Sequence, residues 1–232
     1  MRYALYFTPP QLDPLTVTAG QWLGRDAFDG STVKMPEVAE FPLETLMEMT
    51  ADPRRYGFHA TLKAPFELAD GTDEAGLVAA AQEFAAGLTS FEIPRMVVRQ
   101  IGPFFALVPD ALYPVLQDFA AEVVEQFEPF RAPLSEADIA RRNPEKLTEN
   151  QRANLLRWGY HHVMDDFRFH MTLTGRITDP AMAEAVMPVL EQRFADFIDR
   201  PLAVTALAIF IEPARSAPFT VHSLLPLGET QA

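Results

Sequence analysis

A short segment that occurs twice constrains this chain's fold more than any other feature. Phe-His-Ala-Thr-Leu at residues 58–62 returns as Phe-His-Met-Thr-Leu at residues 169–173, with the histidines 111 positions apart. Each copy is followed by a helical pattern, whose predicted N-caps are Thr72 and Asp179, and then by two β-rich segments. The chain is therefore predicted to contain two strand–helix–strand–strand units, with residues 2–8 as an additional first strand.

Hairpin-joined strands that pack on helices are typical of an α+β domain with mainly antiparallel sheets. We expect a bilobal, pseudo-twofold pair of such sheets, with helices on the outside and the two histidine strands side by side. The lobes of this single domain are expected at about residues 1–110 and 163–232. Residues 111–162 or so are expected to form a helical insertion, in which capping-box patterns begin at Ser135 and Thr148.

Each copy of the motif has one polar face, because side chains alternate between the two faces of a strand. His59 shares a face with Thr61, and His170 shares the corresponding face with Thr172. A neutral imidazole can take a proton from attacking water while a protonated one donates to the departing ester oxygen. The hydroxyls can donate to the phosphoryl oxygens. Two such faces in one cleft predict hydrolysis of a phosphodiester, above all a cyclic one.

The same alternation adds three candidate phosphate ligands. Lys63 lies on the predicted face of His59, and Arg168 and Thr174 lie on the predicted face of His170. A cation there would bind the phosphate, although a solvated or salt-bridged role is the alternative for both cations. Core, solvated or other structural roles are preferred for the remaining candidates, namely Phe104, Phe105, Arg131, Arg141, Arg142, His161, His162 and His222.

Composition narrows the class of substrate. The chain has no cysteine and no HExxH pattern beside either motif, so we expect neither a catalytic metal nor another cofactor. The formal net charge of −13 disfavours nucleic acid as the main partner, because phosphate contacts dominate such binding. The longest apolar stretch, residues 202–211, is about half of a membrane-spanning helix. We therefore expect a cytoplasmic monomer or weak dimer that acts on a small phosphorylated molecule, without membrane association.

With both motifs in view, the chain resembles the two-histidine (2H) phosphoesterase superfamily, which includes RNA ligase-like proteins and cyclic nucleotide phosphodiesterases. Segments 2–7, 56–66, 158–160 and 167–175 resemble more specifically a bacterial branch associated with phosphonate metabolism. The resemblance implies the bilobal 2H fold and catalytic positions for both histidines and both threonines of the motifs. Residues 161–162 depart from the branch, because His-His stands where Pro-Tyr is expected.

The leading hypothesis is a metal-independent hydrolase of a small cyclic phosphodiester, with His59 and His170 as general acid and base. The resemblance does not fix the substrate of the branch, and its association with phosphonate metabolism suggests a ribose cyclic phosphate formed in phosphonate breakdown. Two alternatives stay open. One is an enzyme that processes RNA 2′,3′-cyclic ends, which the overall acidity disfavours, and the other is a non-catalytic sensor of a phosphoribosyl ligand. The near identity of the motifs leaves open which histidine is the acid.

Overall fold

Antiparallel strands with helices packed around them make an α+β fold in the computed structural model, which describes residues 1–228 and confirms the predicted class. The strands are β1 Arg2–Phe7, β2 Ala60–Phe66, β3 Phe91–Ile93, β4 Met96–Ile101, β5 Phe104–Pro109, β6 Met171–Thr172, β7 Leu202–Val204, β8 Ala206–Glu212 and β9 Thr220–Pro226. The α-helices are α1 Pro14–Leu23, α2 Leu43–Met49, α3 Ala51–Tyr56, α4 Glu74–Gly87, α5 Pro114–Gln126, α6 Glu136–Ala140, α7 Glu149–Trp158 and α8 Pro180–Arg193. Across the described residues, no helix is both long and apolar enough to cross a bilayer.

Within residues 1–228, the main sheet has seven strands in the order β4-β5-β6-β2-β1-β8-β9, and β3 pairs with β7 in a smaller sheet. All these neighbours are antiparallel. The order relates the unit β1-β2-α4-β3-β4 to the unit β5-β6-α8-β7-β8, and the last strand of each unit pairs with the first strand of the other. The main sheet is therefore continuous across both units, with β2 and β6 as neighbours near its centre.

Polar side chains begin several helices where the sequence predicts them. Asp179 caps α8, Ser135 caps α6, and Thr148 forms a complete capping box at the start of α7. The predicted cap of α4 is wrong by one residue. The carboxylate of Asp73 accepts the backbone N–H bond at that helix end, whereas the hydroxyl of Thr72 donates to a preceding carbonyl. Both residues lie in the turn that joins β2 to α4.

The apolar faces of the two histidine motifs are buried in the main core, as the alternation of side chains predicts. Burying a large apolar side chain contributes roughly 1.5–3 kcal/mol, so each motif is anchored firmly on its helix side. This anchoring fixes the opposite, polar face toward the pocket. The buried motif residues, none more than 4% exposed, are Phe58, Ala60, Leu62, Phe169, Met171 and Leu173.

Strand β2 becomes irregular where it leaves its histidine motif. Thr61 pairs with Tyr6 of β1, but Lys63 pairs with Leu5, so one step along β1 matches two steps along β2. This is a β-bulge at Leu62, which reverses the alternation of side chains beyond it. Leu62 and Lys63 consequently both lie on the helix side of the sheet, where they are 1% and 2% exposed.

Candidate active site

The two histidine motifs meet near the centre of the main sheet, where Ala60 of β2 pairs with Met171 of β6. One residue further in each direction, this antiparallel register places each histidine opposite the threonine of the other motif. The two histidines are then diagonal neighbours, for which the separation is about 7–8 Å and somewhat less between Cβ atoms. A pocket of about 440 Å³ is lined by all four polar side chains, namely His59, Thr61, His170 and Thr172.

Both imidazoles are oriented by the same kind of hydrogen bond. Nδ1 of His59 lies 2.9 Å from the carbonyl oxygen of Gly57, and Nδ1 of His170 lies 2.7 Å from that of Arg168. A carbonyl oxygen can only accept, so each Nδ1 carries the hydrogen and each neutral ring keeps Nε2 as an acceptor. Glycine is required at position 57, because the φ angle of Gly57 is 78° and a Cβ there would collide with the Cβ of Ala27.

Burial lowers the pKa of both histidines. The ring of His59 stacks on Tyr6 with 3.9 Å between centroids, and it also lies 5.8 Å from the ring of Phe210. Removal from water lowers the pKa of His59 to about 4; its hydrogen bond to a backbone carbonyl opposes this shift and nearby His170 adds to it. Burial also lowers the pKa of His170, despite its own backbone hydrogen bond. Both rings are therefore mainly neutral at pH 7 in the free protein.

The threonine hydroxyls lie beside these rings. The hydroxyl of Thr61 is 3.2 Å from Nε2 of His59 and can donate to it. Within residues 1–228, neither the hydroxyl of Thr172 nor Nε2 of His170 has a hydrogen-bond partner, although both residues line the pocket. These two groups are therefore available to a ligand.

Lys63, predicted to bind phosphate, lies outside the pocket. Its ammonium group donates to the carboxylate of Glu128 at 2.7 Å and to the carbonyl of Val124 at 2.9 Å. The physical reason is the bulge at Leu62, which turns the lysine to the helix side of the sheet. The prediction from simple alternation is wrong for this residue.

Two further predicted phosphate ligands have other partners. Arg168 is exposed, and its guanidinium donates to the backbone carbonyls of Asp165 and Phe167; its own carbonyl, not its side chain, serves the site by holding the second histidine. Thr174 does line the pocket. Its hydroxyl, however, accepts from the amide of Phe105 at 3.0 Å and donates to the next carbonyl at 3.0 Å. Both side chains therefore hold the backbone around the second motif.

Substitution of Lys63 by methionine tests this correction. We expect kcat/KM to stay at the wild-type value, because the ammonium group lies outside the pocket and Glu128 keeps its bond to Arg131. Steady-state kinetics on a cyclic diester would measure kcat/KM, and urea unfolding would show whether the variant is folded. Lys146→Met, on the surface, is the control. A large loss of kcat/KM in a folded Lys63→Met protein would show instead that the lysine contributes to the site.

The pocket also receives side chains that neither motif indicates. Arg142 was expected on a solvated helix face, but it lines the pocket directly after α6. Phe104 was expected in the core, yet it lies at the pocket with its ring 5.7 Å from that of His170. In the part of the chain that the structure describes, the charged groups lining this pocket are three arginines and one aspartate, so the pocket is basic although the chain is acidic. The further lining residues with polar or aromatic side chains are Arg2, Tyr6, Asp52, Tyr56, Tyr160 and Arg176.

Other groups of potential interest lie elsewhere. A larger cavity, of about 630 Å³, is lined mainly by apolar residues between positions 24 and 54, and its Arg54 already donates to two carbonyls and a hydroxyl. His161 and His162 lie in a turn after α7, as predicted. Among residues 1–228, no three His, Cys, Asp or Glu side chains are grouped to hold a metal ion. Acid and base groups facing one another distinguish the histidine pocket as the candidate active site.

Solved structures of similar shape are distant in sequence. The protein TT0787 of Thermus thermophilus is 13% identical, with a TM-score of 0.49 over 99% of this chain and 100% of that one. A structure described as a phosphoesterase is 14% identical, with a TM-score of 0.46 over 98% of each chain.

Curated relatives share more of the sequence. A ribose 1,5-bisphosphate phosphokinase PhnN from Janthinobacterium sp. (strain Marseille) is 37% identical over 230 residues, which are 98% of this chain and 51% of that protein. The PhnN of Laribacter hongkongensis (strain HLHK9) is 30% identical over 97% of this chain and 52% of its own length. This chain thus spans about half the length of these relatives. A family model described as a protein of unknown function, DUF1045, matches residues 61–220, and the chain therefore belongs to the DUF1045 family.

Proposed function

We propose that this chain is a phosphoester hydrolase that opens a small cyclic phosphodiester, with His59 and His170 as general base and general acid. The observation that carries the proposal is the shared basic pocket, in which matching backbone hydrogen bonds fix both rings as Nδ1–H tautomers. Each Nε2 is thereby free to exchange a proton with a bound reactant. Pocket volume agrees with a small substrate, since ligand sites commonly measure about 300–1,000 Å³.

In the proposed reaction, Nε2 of His59 accepts a proton from water while the water oxygen forms a bond to phosphorus. Nε2–H of His170 donates its proton to the ester oxygen as the bond from phosphorus to that oxygen breaks. The products are a phosphomonoester and a free hydroxyl on the same molecule. Burial lowers the pKa of both histidines, so the assignment of His59 as the base and His170 as the acid is part of the proposal. Proton exchange with solvent then restores both rings.

The surrounding groups would stabilise the transferring phosphoryl group. The Thr172 hydroxyl is free to donate to a non-bridging oxygen, and Thr61 can do the same when its hydroxyl turns from the ring of His59. An anionic diester beside the rings would also raise their pKa values, because a nearby opposite charge favours the protonated form. Substrate binding thus helps to supply the proton that the general acid needs.

The pH profile follows from the lowered pKa values. The reactive free enzyme carries one proton on the pair, so kcat/KM should peak below pH 6.5 and fall as pH rises through the higher of the two pKa values. The optimum of kcat should lie at higher pH, because the bound anion raises both values. Initial rates across the acid and neutral range would measure both profiles. A kcat/KM that keeps rising above pH 6.5 would rule out this protonation scheme.

The named activity of the curated relatives does not define this chain, which spans about half of them. A nucleotide-binding P-loop needs the sequence G-x-x-x-x-G-K-[ST], and no Gly-Lys pair occurs in this chain. We therefore propose that the phosphokinase name refers to the other half of those relatives. The ribose bisphosphate in their name supports a phosphorylated ribose as the substrate class here, in agreement with the phosphonate-linked resemblance.

A panel assay tests the proposed reaction. Purified protein would be treated with a chelator and given ribose cyclic phosphates, nucleoside 2′,3′-cyclic phosphates and linear diesters, with phosphomonoester formation as the readout. Turnover of a small cyclic diester without added metal is the expected result. Activity that requires an oligonucleotide and falls steeply with salt would favour RNA end processing instead. Tight binding of a phosphate ester without turnover would favour the ligand sensor.

A further inference from the structure

We infer that the pocket contains a second anion subsite, formed by Arg142 and Arg2 beside Tyr160, and that the substrate carries a second phosphoryl group there. The identity of the reacting group rests on the proposed function. The subsite itself rests on separate observations, which concern an unpaired arginine and a second arginine that shares its counter-charge, both lining the same pocket.

Arg142 is a half-buried cation without an acidic partner in the part of the chain described. It follows α6, lines the histidine pocket and places its guanidinium carbon 5.5 Å from the ring centroid of Tyr160. Burial lowers its pKa, Tyr160 opposes that shift, and the arginines at positions 141, 2 and 131 add to it. Partial removal from water without a counter-charge favours the binding of an anion beside this guanidinium.

Arg2 brings a second guanidinium to the same end of the pocket. It stands opposite Glu212 across β1 and β8, and its Nε lies 2.5 Å from that carboxylate. The same carboxylate also accepts from Arg55 at 2.9 Å, so one negative charge serves two cations. Within residues 1–228 the two terminal nitrogens of Arg2 have no hydrogen-bond partner. Glu212 thus orients this arginine while its outer donors remain available.

The position of the cations separates them from the reacting centre. Arg2 lies four residues before Tyr6 on β1, a distance of about 13 Å along a strand, and Tyr6 carries the stacked ring of His59. The bulge lies in β2, so alternation along β1 holds and both side chains point to the same face. The backbone spacing is wide enough for a sugar phosphorylated at two positions to place one phosphate at the histidine pair and the other at this end.

A phosphoryl group fits this end by charge and by shape. Guanidinium groups bind phosphate oxygens through paired N–H donors, and a phosphomonoester carries up to two negative charges for two arginines. Its binding would also remove the repulsion between Arg142 and Arg2. We therefore expect the second phosphoryl group to be a monoester on the sugar that carries the cyclic diester.

Calorimetry with ribose 1-phosphate and ribose 1,5-bisphosphate tests the subsite without any turnover. Wild-type protein should bind the bisphosphate at least about tenfold more tightly than the monophosphate, because a hydrogen bond to a charged group contributes binding free energy equivalent to that factor or more. Arg142→Ala should abolish the difference, and Arg142→Lys should keep part of it because the charge remains but the fork is lost. Arg152→Ala is the matched control, since Arg152 is exposed on α7, donates to the carbonyl of Leu147 and does not line the histidine pocket.

Kinetics separate failure of the subsite from failure of the reaction. Arg142→Ala should raise KM about tenfold more for the 5-phosphorylated form than for ribose 1,2-cyclic phosphate itself. Equal wild-type affinity for the two ribose phosphates, or equal weakening of both by Arg142→Ala, would overturn the subsite. Preferential binding of the bisphosphate with no hydrolysis of either cyclic compound would uphold the subsite and reject the proposed reaction.

Discussion

Replacement of either His59 or His170 by alanine is expected to lower kcat/KM for a cyclic diester by about 10²–10⁴-fold. Each change removes one proton-transfer group from the pocket while the apolar face of its motif stays buried. The double replacement should cost little more than either single one, because an acid and a base that act in one step are not additive. Steady-state kinetics with circular dichroism on the same samples would measure this.

His222→Ala provides the matched control for these replacements. His222 contacts Ser223 and lies 3.5 Å from Glu74, outside the histidine pocket, so its loss should leave kcat/KM unchanged. Near-wild-type activity of folded His59→Ala and His170→Ala proteins would remove the acid–base pair from the mechanism. Loss in only one of them would leave a single-histidine mechanism.

The largest expected effect on stability comes from Glu212, whose replacement by alanine should lower the free energy of unfolding by about 3 kcal/mol. Its carboxylate is fully buried and accepts from Arg2, Arg55 and the amide of Ser216. Removing it leaves two cations with no counter-charge, which is costlier than losing an exposed ion pair. Arg2 and Arg55 are 21% and 29% exposed, so water can partly solvate them once the carboxylate is gone. The expected loss is therefore at the low end of the range for buried pairs.

Urea unfolding at several pH values would measure this effect and its origin. Burial by itself would raise the pKa of Glu212, but the hydrogen bond and charge of Arg2, with help from Arg55, outweigh it and lower the value. The stabilisation is therefore complete above the ordinary glutamate pKa and is lost as pH falls through the lowered one. Glu67→Ala, which breaks an exposed pair with Arg215, should cost at most about 1 kcal/mol. Equal losses for the two variants would refute the buried role.

Much of the fold could be predicted because the duplicated motif is both a hydrophobic pattern and a polar one. Alternation correctly separates Phe58, Ala60 and Leu62 from the face that carries His59. The exchange of strands between units could not be predicted, since a hydrophobic pattern shows which face is buried but not which strand lies beside it. That exchange is what makes the main sheet continuous.

The errors at the site have local physical causes. A single extra residue at Leu62 turns Lys63 to the other face, and no feature of composition marks the bulge in advance. Arg142 and Tyr160 come from the segment between β5 and β6, where turns rather than a repeating pattern determine side-chain direction. Thr174 faces the pocket as alternation predicts, but a nearby backbone amide already occupies its hydroxyl. Alternation therefore predicted the positions of the two histidines better than those of the groups around them.

Nuclear magnetic resonance of the imidazole nitrogens, with inorganic phosphate as titrant, tests most directly whether the two rings share one anion. Long-range ¹H–¹⁵N spectra at neutral pH should show both His59 and His170 as Nδ1–H tautomers. Added phosphate should then shift the Nε2 resonances of both along a single binding curve, while His222 stays unchanged. Separate curves, or a shift of only one of the two rings, would contradict a common site for the pair.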